Sequence, residues 1–211
     1  LDDFYLPGKE MDFAIRGNPW NVPRGFPGSH SLDLLHQSLD TFLKTGVLAS
    51  PIFDKSLRDG KGDRTGWCKL KTKVLILEGW FVGCEPVSDL FKTQDWEEQK
   101  FGVFLSQAEK DYRILIQESL IEYSKIWKKL HKLWHLKSSN FDNTILWKYQ
   151  QENQMIKLKG SGLKGNNLSD FIRMIQTAIP QKSLSFINSD TTVEINQNRR
   201  IEKLNSTKYN F

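Results

Sequence analysis

Four consecutive apolar residues at positions 74–77 are followed directly by Glu78 and Gly79. A short strand that is apolar on both faces is typical of a parallel sheet with helices covering each side. Helical periodicity lies on both sides of this run, over residues 31–46 and through much of the second half of the chain. The sequence therefore predicts an α/β fold, a parallel sheet flanked by helices, in which residues 74–79 form a strand.

The other elements are predicted from apolar spacing together with capping and turn residues. The first helix begins after Ser31 and ends at Gly46. Two segments rich in glycine, proline or charge, 1–30 and 50–67, are predicted to be loops. Further helices are predicted over 107–136, 144–157 and 168–179, and C-terminal strands over 184–187 and 192–195, within the segment 184–196.

Length and composition exclude some classes of protein. The 211 residues are an ordinary size for one domain, and no apolar run reaches the roughly 18 residues of a membrane span. The two cysteines give no disulfide framework, so we expect a reducing, cytoplasmic location. The net charge of +5 favours an anionic ligand without choosing among nucleotides, sugar acids and nucleic acid.

Three carboxylates are candidates for chemistry because of where they lie. Asp2 and Asp3 open the chain as the predicted end of a strand, and Glu78 follows the apolar run. Ligands of parallel sheets bind at the carboxyl ends of the strands, so these groups are candidate bases or Mg²⁺ ligands. The alternative is a turn for the aspartates and a solvated charge for Glu78.

Cations on the two glycine-containing loops form a second candidate group, because arginine binds carboxylate or phosphate through two parallel hydrogen bonds. The alternative is that they pair with aspartates of the same loop. The cations are Arg24, Lys55, Arg58, Lys61 and Arg64.

Two weaker patterns are interpreted as structural. His131 and His135 are four residues apart without a third metal ligand at a suitable spacing. Lysines between 125 and 137 alternate with Trp127 and Trp134, but both tryptophans fall on the apolar stripe of the predicted helix. We therefore expect a basic helix surface there and no nucleic-acid partner.

Taken in order, five motifs resemble the D-glycerate 3-kinase family of the plant, cyanobacterial and fungal type. That family belongs with P-loop small-molecule kinases related to uridine kinase, phosphoribulokinase and pantothenate kinase. The motifs are Leu1-Asp2-Asp3-Phe4-Tyr5-Leu6, Arg24-Gly25-Phe26-Pro27-Gly28-Ser29-His30, Phe53-Asp54-Lys55-Ser56, Gly60-Lys61-Gly62-Asp63-Arg64 and Leu77-Glu78-Gly79-Trp80.

The resemblance implies one domain over 1–211 that transfers phosphate from ATP, with Mg²⁺, to a hydroxyl of a small acid such as D-glycerate. It implies substrate-side loops and the first helix within 1–67, a Walker B-like strand at 74–79, and a helical region with a lid over 107–179. Asp2 would be catalytic, and Glu78 would be catalytic and near the metal. Substrate binding is implied for Asp3, Arg24, His30, Lys55 and Arg64, and cofactor binding for Lys148, where the family pattern has arginine.

The phosphate-binding signature Gly-x-x-x-x-Gly-Lys-Ser/Thr does not occur in the sequence. In the family this unit precedes the Asp-Asp-Phe-Tyr segment, so we expect the chain to be incomplete at its N-terminus. Two alternatives stay open, namely a degenerate protein of the same fold that lacks ATP binding, and a kinase for pantothenate or a nucleoside. The sequence leaves the oligomeric state open.

Overall fold

The computed structural model describes residues 1–138, 140–160 and 162–206, apart from the side chain of Lys159. A 3₁₀ turn, Asp2–Phe4, opens the chain. The helices are α1 (Gly8–Ala14), α2 (Leu32–Thr45), α3 (Leu90–Phe101), α4 (Gln107–Trp127), α5 (Phe141–Lys159), α6 (Gly165–Thr177) and α7 (Gln181–Ser185). The strands are β1 (Val47–Asp54), β2 (Asp63–Lys71), β3 (Trp134–Ser138), β4 (Thr191–Ile195) and β5 (Ile201–Ser206).

The described strands form two small sheets. β1 and β2 make an antiparallel hairpin, and β4 lies between β3, to which it is parallel, and β5, to which it is antiparallel. Helices pack around them, so the predicted α/β class is confirmed. Among the described residues, no helix is both long enough and apolar enough to span a bilayer.

Helix α4 lies at the centre of the main hydrophobic core. Its N-terminus carries a capping box, in which Ser106 and Glu109 satisfy each other's backbone N–H groups. The apolar stripe predicted from the sequence is buried, with Ile116, Leu120 and Tyr123 inaccessible to solvent. Against this face pack residues from α2, α6 and the loops that follow Trp20 and Trp80.

The predicted helix over 107–136 is wrong beyond Trp127. The last third of the predicted segment is not helical. The carbonyl of Leu133 accepts the N–H groups of Asp190 and Thr191, at the start of the pairing with β4. Strand β3 follows, and Trp134 on it is exposed, not part of the core as predicted. Pairing with the β-branched residues of β4 outweighs the local helical periodicity here.

The strand predicted over 74–79 is not formed within the described residues. No strand pairs with this segment, yet it keeps the alternation of an extended chain. Leu75 and Leu77 pack on the core, whereas Val74 and Ile76 are 72% and 83% exposed. An apolar run becomes a strand only where neighbouring backbone completes its hydrogen bonds, and that partner cannot be read from the run itself.

Several other predicted elements differ in extent. The first helix is confirmed as α2, which Gly46 ends with a φ of 70°. The helices predicted at 144–157 and 168–179 are confirmed as α5 and α6. The two segments predicted as loops contain α1 and much of the β1–β2 hairpin. Their glycine, proline and charged residues suggested loops, but Pro7 caps the start of α1 and the turn after Asp54 joins two paired strands.

At the C-terminus one predicted strand is confirmed and one is wrong. Residues 192–195 lie in β4, but the segment predicted as a strand over 184–187 begins inside helix α7. Pro180 starts that helix by accepting the N–H groups of Ser183 and Leu184. β5 was not predicted because its side chains are mostly exposed and show no alternation.

A buried ion pair lies where four helices meet. Arg113 of α4 bonds to the Glu97 carboxylate of α3 at 2.6 Å, with the two side chains only 1% and 5% exposed. The guanidinium also donates to the Thr177 carbonyl at the end of α6. The same carboxylate accepts the backbone N–H of Gln181 at the start of α7. Both charged groups thus have hydrogen-bond partners within the protein, and these bonds hold the helices together.

We expect Glu97→Leu to destabilise the protein by about 3–5 kcal/mol, because it leaves the Arg113 charge buried without its partner. Urea unfolding followed by circular dichroism would measure the loss. Glu122→Gln, at the exposed pair with Lys125, is the matched control and should change stability by less than about 1 kcal/mol. A loss of under about 1 kcal/mol in Glu97→Leu would contradict this account.

Candidate active site

The first residues of the chain lie against the loop that ends at His30. Tyr5 forms an isolated antiparallel bridge with His30. Leu6 N–H donates to the Ser29 carbonyl at 3.0 Å, and Ser31 N–H donates to the Phe4 carbonyl at 2.8 Å. Two motifs more than twenty residues apart are therefore fixed side by side, and Asp2 lies at the edge of this pairing.

Asp2 is held by an ion pair with Lys55. The Lys55 ammonium is 2.6 Å from the Asp2 carboxylate, and the side chains are 54% and 48% exposed. Burial alone would raise the pKa of Asp2, but hydrogen bonds from Lys55 and Tyr5 and the Lys55 charge outweigh it, so the pKa is lowered. The result is a carboxylate that is ionised at neutral pH and open to solvent on one side.

Glu78 lies beside the same turn. The backbone nitrogen of Leu1 donates to the Glu78 carbonyl at 2.8 Å, so the two segments run next to each other. The Glu78 side chain is exposed, as is that of Asp3, whose carboxylate makes no hydrogen bond or ion pair with the described residues. The charges of the Asp2, Asp3 and Glu78 carboxylates all act on the amino group of Leu1, so the three predicted carboxylates lie around one end of the chain.

Arg24 bonds to backbone of the turn between β1 and β2, next to the site. Its guanidinium donates to the carbonyls of Gly60 and Lys61 at 2.7 and 2.8 Å and lies over the Phe53 ring. These contacts hold the turn between β1 and β2, in which Arg58 and Asp59 have positive φ values. In this conformation Arg24 positions the turn that carries Lys55.

Arg64 is likewise used inside the protein. Its Nε donates to the Tyr5 carbonyl at 3.0 Å and its Nη2 to the Ser31 hydroxyl at 2.6 Å. Ser31 precedes α2, but its hydroxyl makes no capping bond to that helix. Arg64 therefore joins the hairpin to both segments of the site. The sequence-based prediction of two substrate-binding arginines did not include these protein contacts.

His30 is enclosed by aromatic rings. Its ring stacks on Tyr5 at 4.4 Å between centroids, and its Nδ1 is 2.7 Å from the Tyr123 hydroxyl. Phe81 meets it edge-on. Burial lowers the pKa of His30 to about 3, although the nearby Asp2 charge acts in the opposite direction. His30 is therefore neutral at physiological pH.

Lys148 lies on the helical side of the fold. It pairs with Glu152 at 2.6 Å and lies over the Phe171 ring at 4.4 Å. Phe171 in turn packs against Gly25, whose φ of 109° suits only glycine at that point. Lys148, in the predicted lid, is thus separated from the loop that carries Gly25 by the Phe171 ring.

Two residues of this site were missed by sequence reasoning. Tyr5 was named only as part of a motif. The one feature of the sequence that could have marked it as a site residue is its closeness to Asp2, three positions earlier. Tyr123 falls on the apolar stripe of α4, a position that predicts an ordinary core residue. Nothing in the sequence indicated that its hydroxyl would meet His30, which is 93 residues away.

Metal binding can be tested against the donor set. No group of three or more His, Cys, Asp or Glu side chains within the described ranges could hold a metal ion. Mg²⁺ in phosphoryl-transfer enzymes needs only one or two carboxylates, because phosphate oxygens and waters complete its coordination. The carboxylates of Asp2 and Glu78 fit that arrangement. They do not by themselves make a site in which the protein supplies all the ligands.

Comparisons with known proteins identify kinases. The chain is 29% identical over 192 residues to the uncharacterized kinase mug58 of Schizosaccharomyces pombe, covering 86% of this chain and 66% of that protein. It is 25% identical over 220 residues to the probable ATP-dependent kinase TDA10 of Saccharomyces cerevisiae, covering 95% and 73%. The chain thus spans just under two thirds of mug58. No protein-family model matches it.

Among solved structures, D-glycerate 3-kinase from Cryptococcus neoformans var. grubii superposes with a TM-score of 0.85. The sequence identity is 24%, and the alignment covers 98% of this chain and 78% of that structure. At this identity the likeness establishes the fold. It covers both the site and the helical half.

We expect Lys55→Met to raise the pKa of Asp2, because burial remains while the ion pair is lost. Carboxyl ¹³C shifts followed by NMR against pH would measure it. Lys61→Met, an exposed lysine of the same turn, is the control and should leave that pKa in place.

The same ion pair has a consequence for stability. Asp2 has a folded pKa below its ordinary value of about 3.9, so its contribution is present above that pH and is lost as the pH falls through the folded pKa. The stability difference between the unmodified protein and Lys55→Met should therefore shrink below about pH 4. A difference that grows on acidification would contradict the assignment.

Proposed function

We propose that this chain is a kinase of the D-glycerate 3-kinase-like, P-loop type, and that it phosphorylates a hydroxyl group of a small organic acid with ATP. D-glycerate is the first acceptor to test. The observation that carries this proposal is the ion pair between Asp2 and Lys55. It offers, at one half-exposed position, an ionised carboxylate that could accept the proton of a hydroxyl and an ammonium that could bind the carboxylate of a hydroxy acid.

Asp2 is the proposed proton acceptor. As the acceptor hydroxyl attacks the γ-phosphorus, its proton passes to the Asp2 carboxylate, the new P–O bond forms, and the bond to the ADP oxygen breaks. A carboxylate of lowered pKa is ionised before substrate arrives, so it is ready to accept a hydrogen bond from the hydroxyl. Its position in a 3₁₀ turn, and not on a mobile tail, supports this role.

Lys55 is the proposed partner of the substrate carboxylate. Its side chain is flexible, half exposed and bonded only to Asp2 among the described residues. An incoming carboxylate would compete with Asp2 for this ammonium, and the hydroxyl of the same molecule would take its place on Asp2. An acceptor without an acidic group would gain nothing from Lys55, which favours an acid over a nucleoside.

Arg24, Arg64 and Asp3 have different proposed contributions. The two arginines keep the hairpin turn and the Tyr5–His30 pairing in place, so that Lys55 lies over Asp2. Asp3 is exposed at the same turn and is proposed to contact substrate only at the edge of the site.

ATP with Mg²⁺ would supply the transferable phosphoryl group and neutralise its charge. Of the residues on this chain, Glu78 is proposed to hold the ion together with phosphate oxygens and water. Lys148 is proposed to face the nucleotide from α5. It would do so as a point charge, without the two parallel hydrogen bonds of an arginine.

We expect Asp2→Asn to lower kcat by roughly 10²–10⁴-fold with D-glycerate, because the amide cannot accept the proton. ADP release coupled to a spectrophotometric assay would measure it. Asp33→Asn, at an exposed aspartate in the first turn of α2, should keep full activity. Equal activity of Asp2→Asn and the unmodified protein would overturn the proposed role.

We also expect Lys55→Met to raise KM for acidic acceptors at least about tenfold, because one charged hydrogen bond to the substrate is lost. A panel of D-glycerate, pantothenate and uridine tests the choice of acceptor in the same assay. Turnover of uridine alone, unaffected by Lys55→Met, would favour a nucleoside kinase. No turnover of any acceptor would favour a non-catalytic protein of the same fold.

A further inference from the structure

We propose that Tyr123 is a positioning residue, which holds His30 in the tautomer that carries its proton on Nε2. His30 would then present a neutral N–H donor beside Asp2 and could not act as a second base. The inference refines the proposed function by separating the roles of two neighbouring residues. The part that concerns the tautomer does not depend on any catalytic activity.

The first step concerns the Tyr123 hydroxyl, which lies at the centre of several hydrogen bonds. The N–H of Gly28 donates to it at 3.3 Å. Burial raises the pKa of this phenol, and the nearby backbone N–H groups of Gly28 and His30 act in the opposite direction. Gly28 has a φ of 100°, which lets its N–H point at the hydroxyl. The phenol oxygen therefore accepts from a backbone donor, and its own proton still needs an acceptor.

The second step concerns the direction of that proton. The only other polar atom within hydrogen-bond distance of the Tyr123 hydroxyl, among the described residues, is Nδ1 of His30 at 2.7 Å. If Nδ1 carried a proton, it would be a donor toward the phenol, and the phenol proton would be buried with no acceptor among these residues. The Tyr123 hydroxyl must therefore donate to Nδ1, which leaves the imidazole proton on Nε2.

The third step concerns Nε2 itself. This atom is buried and has no hydrogen-bond partner among the described residues. An unpaired buried N–H costs free energy, so a group of this kind needs an explanation. The charged groups that act on the ring are Asp2 and the amino group of Leu1, both at the edge of the proposed site. An oxygen atom of the acceptor is the partner that we assign to it.

The aromatic enclosure keeps this donor neutral. Tyr5 covers one face of the ring, and Phe81 and Tyr123 meet it edge-on. A neutral donor stabilises the acceptor oxygen without competing for the proton that Asp2 accepts. Asp2 is then left as the base, and His30 orients the molecule that delivers the proton.

Nitrogen-15 NMR of the histidine rings tests the tautomer directly in the unmodified protein. The chain has four histidines, and His30→Gln identifies the signals of His30 by their loss. We expect a protonated nitrogen at Nε2 and an unprotonated one at Nδ1 from pH 5 to 8. A proton on Nδ1, or a charged ring in this range, would overturn the proposal whether or not the protein is a kinase.

Tyr123→Phe tests the positioning role, because it removes the hydroxyl and keeps the ring. We expect the His30 signals to shift toward a mixture of tautomers and kcat/KM for the acid acceptor to fall about two- to tenfold. An unchanged Nε2–H tautomer in this variant would show that Tyr123 does not set it. Circular dichroism and thermal unfolding establish that the variant is folded.

Two amide variants separate a donor at Nε2 from mere filling of space. Glutamine places its amide near Nε2, and asparagine places it near Nδ1. His30→Gln should therefore retain more activity than His30→Asn, with the difference in KM for the acceptor. The reverse order would contradict a donor role for Nε2. If neither the unmodified protein nor the variants show kinase activity, the proposed function fails, and the NMR result alone decides the tautomer.

Discussion

The burial of one face of α4 is the interaction on which the core and the candidate site both depend. The face that packs Ile116 and Leu120 into the core also brings Arg113 to Glu97 and Tyr123 to His30. Hydrophobic burial supplies the driving force and has no direction, whereas these polar contacts fix the rotation of the helix. One helix therefore couples the packing of the core to the geometry of the site.

The cations of the site divide according to their chemistry. Arg24 and Arg64 each reach two fixed acceptors within the protein, which suits the rigid, forked guanidinium. Lys55 is a point charge on a flexible chain and holds a half-exposed carboxylate that an anion could displace. The arginines thus build the framework, whereas Lys55 is a half-exposed cation at the edge of the candidate site.

Much of the candidate site was accessible from sequence because each of its charged residues lies within a short, recognisable motif. Asp2, His30 and Lys55 were selected from their motifs, and the structure places them together. The helices α2, α5 and α6 followed from periodicity and caps. The contacts of Arg24 and Arg64 did not follow, because a motif indicates that a cation is present and not which oxygen it meets.

The sequence by itself determined the α/β class, the main amphipathic helices and the kinase-like set of charged residues, since these depend on local spacing and composition. Tertiary structure alone decided that the chain leaves α4 at Trp127, that residues 74–79 gain no strand partner among the described residues, and that Tyr123 meets His30. Each of these outcomes depends on groups distant in the chain. Backbone hydrogen bonds and buried polar atoms must find partners in space, and local sequence does not specify where those partners lie.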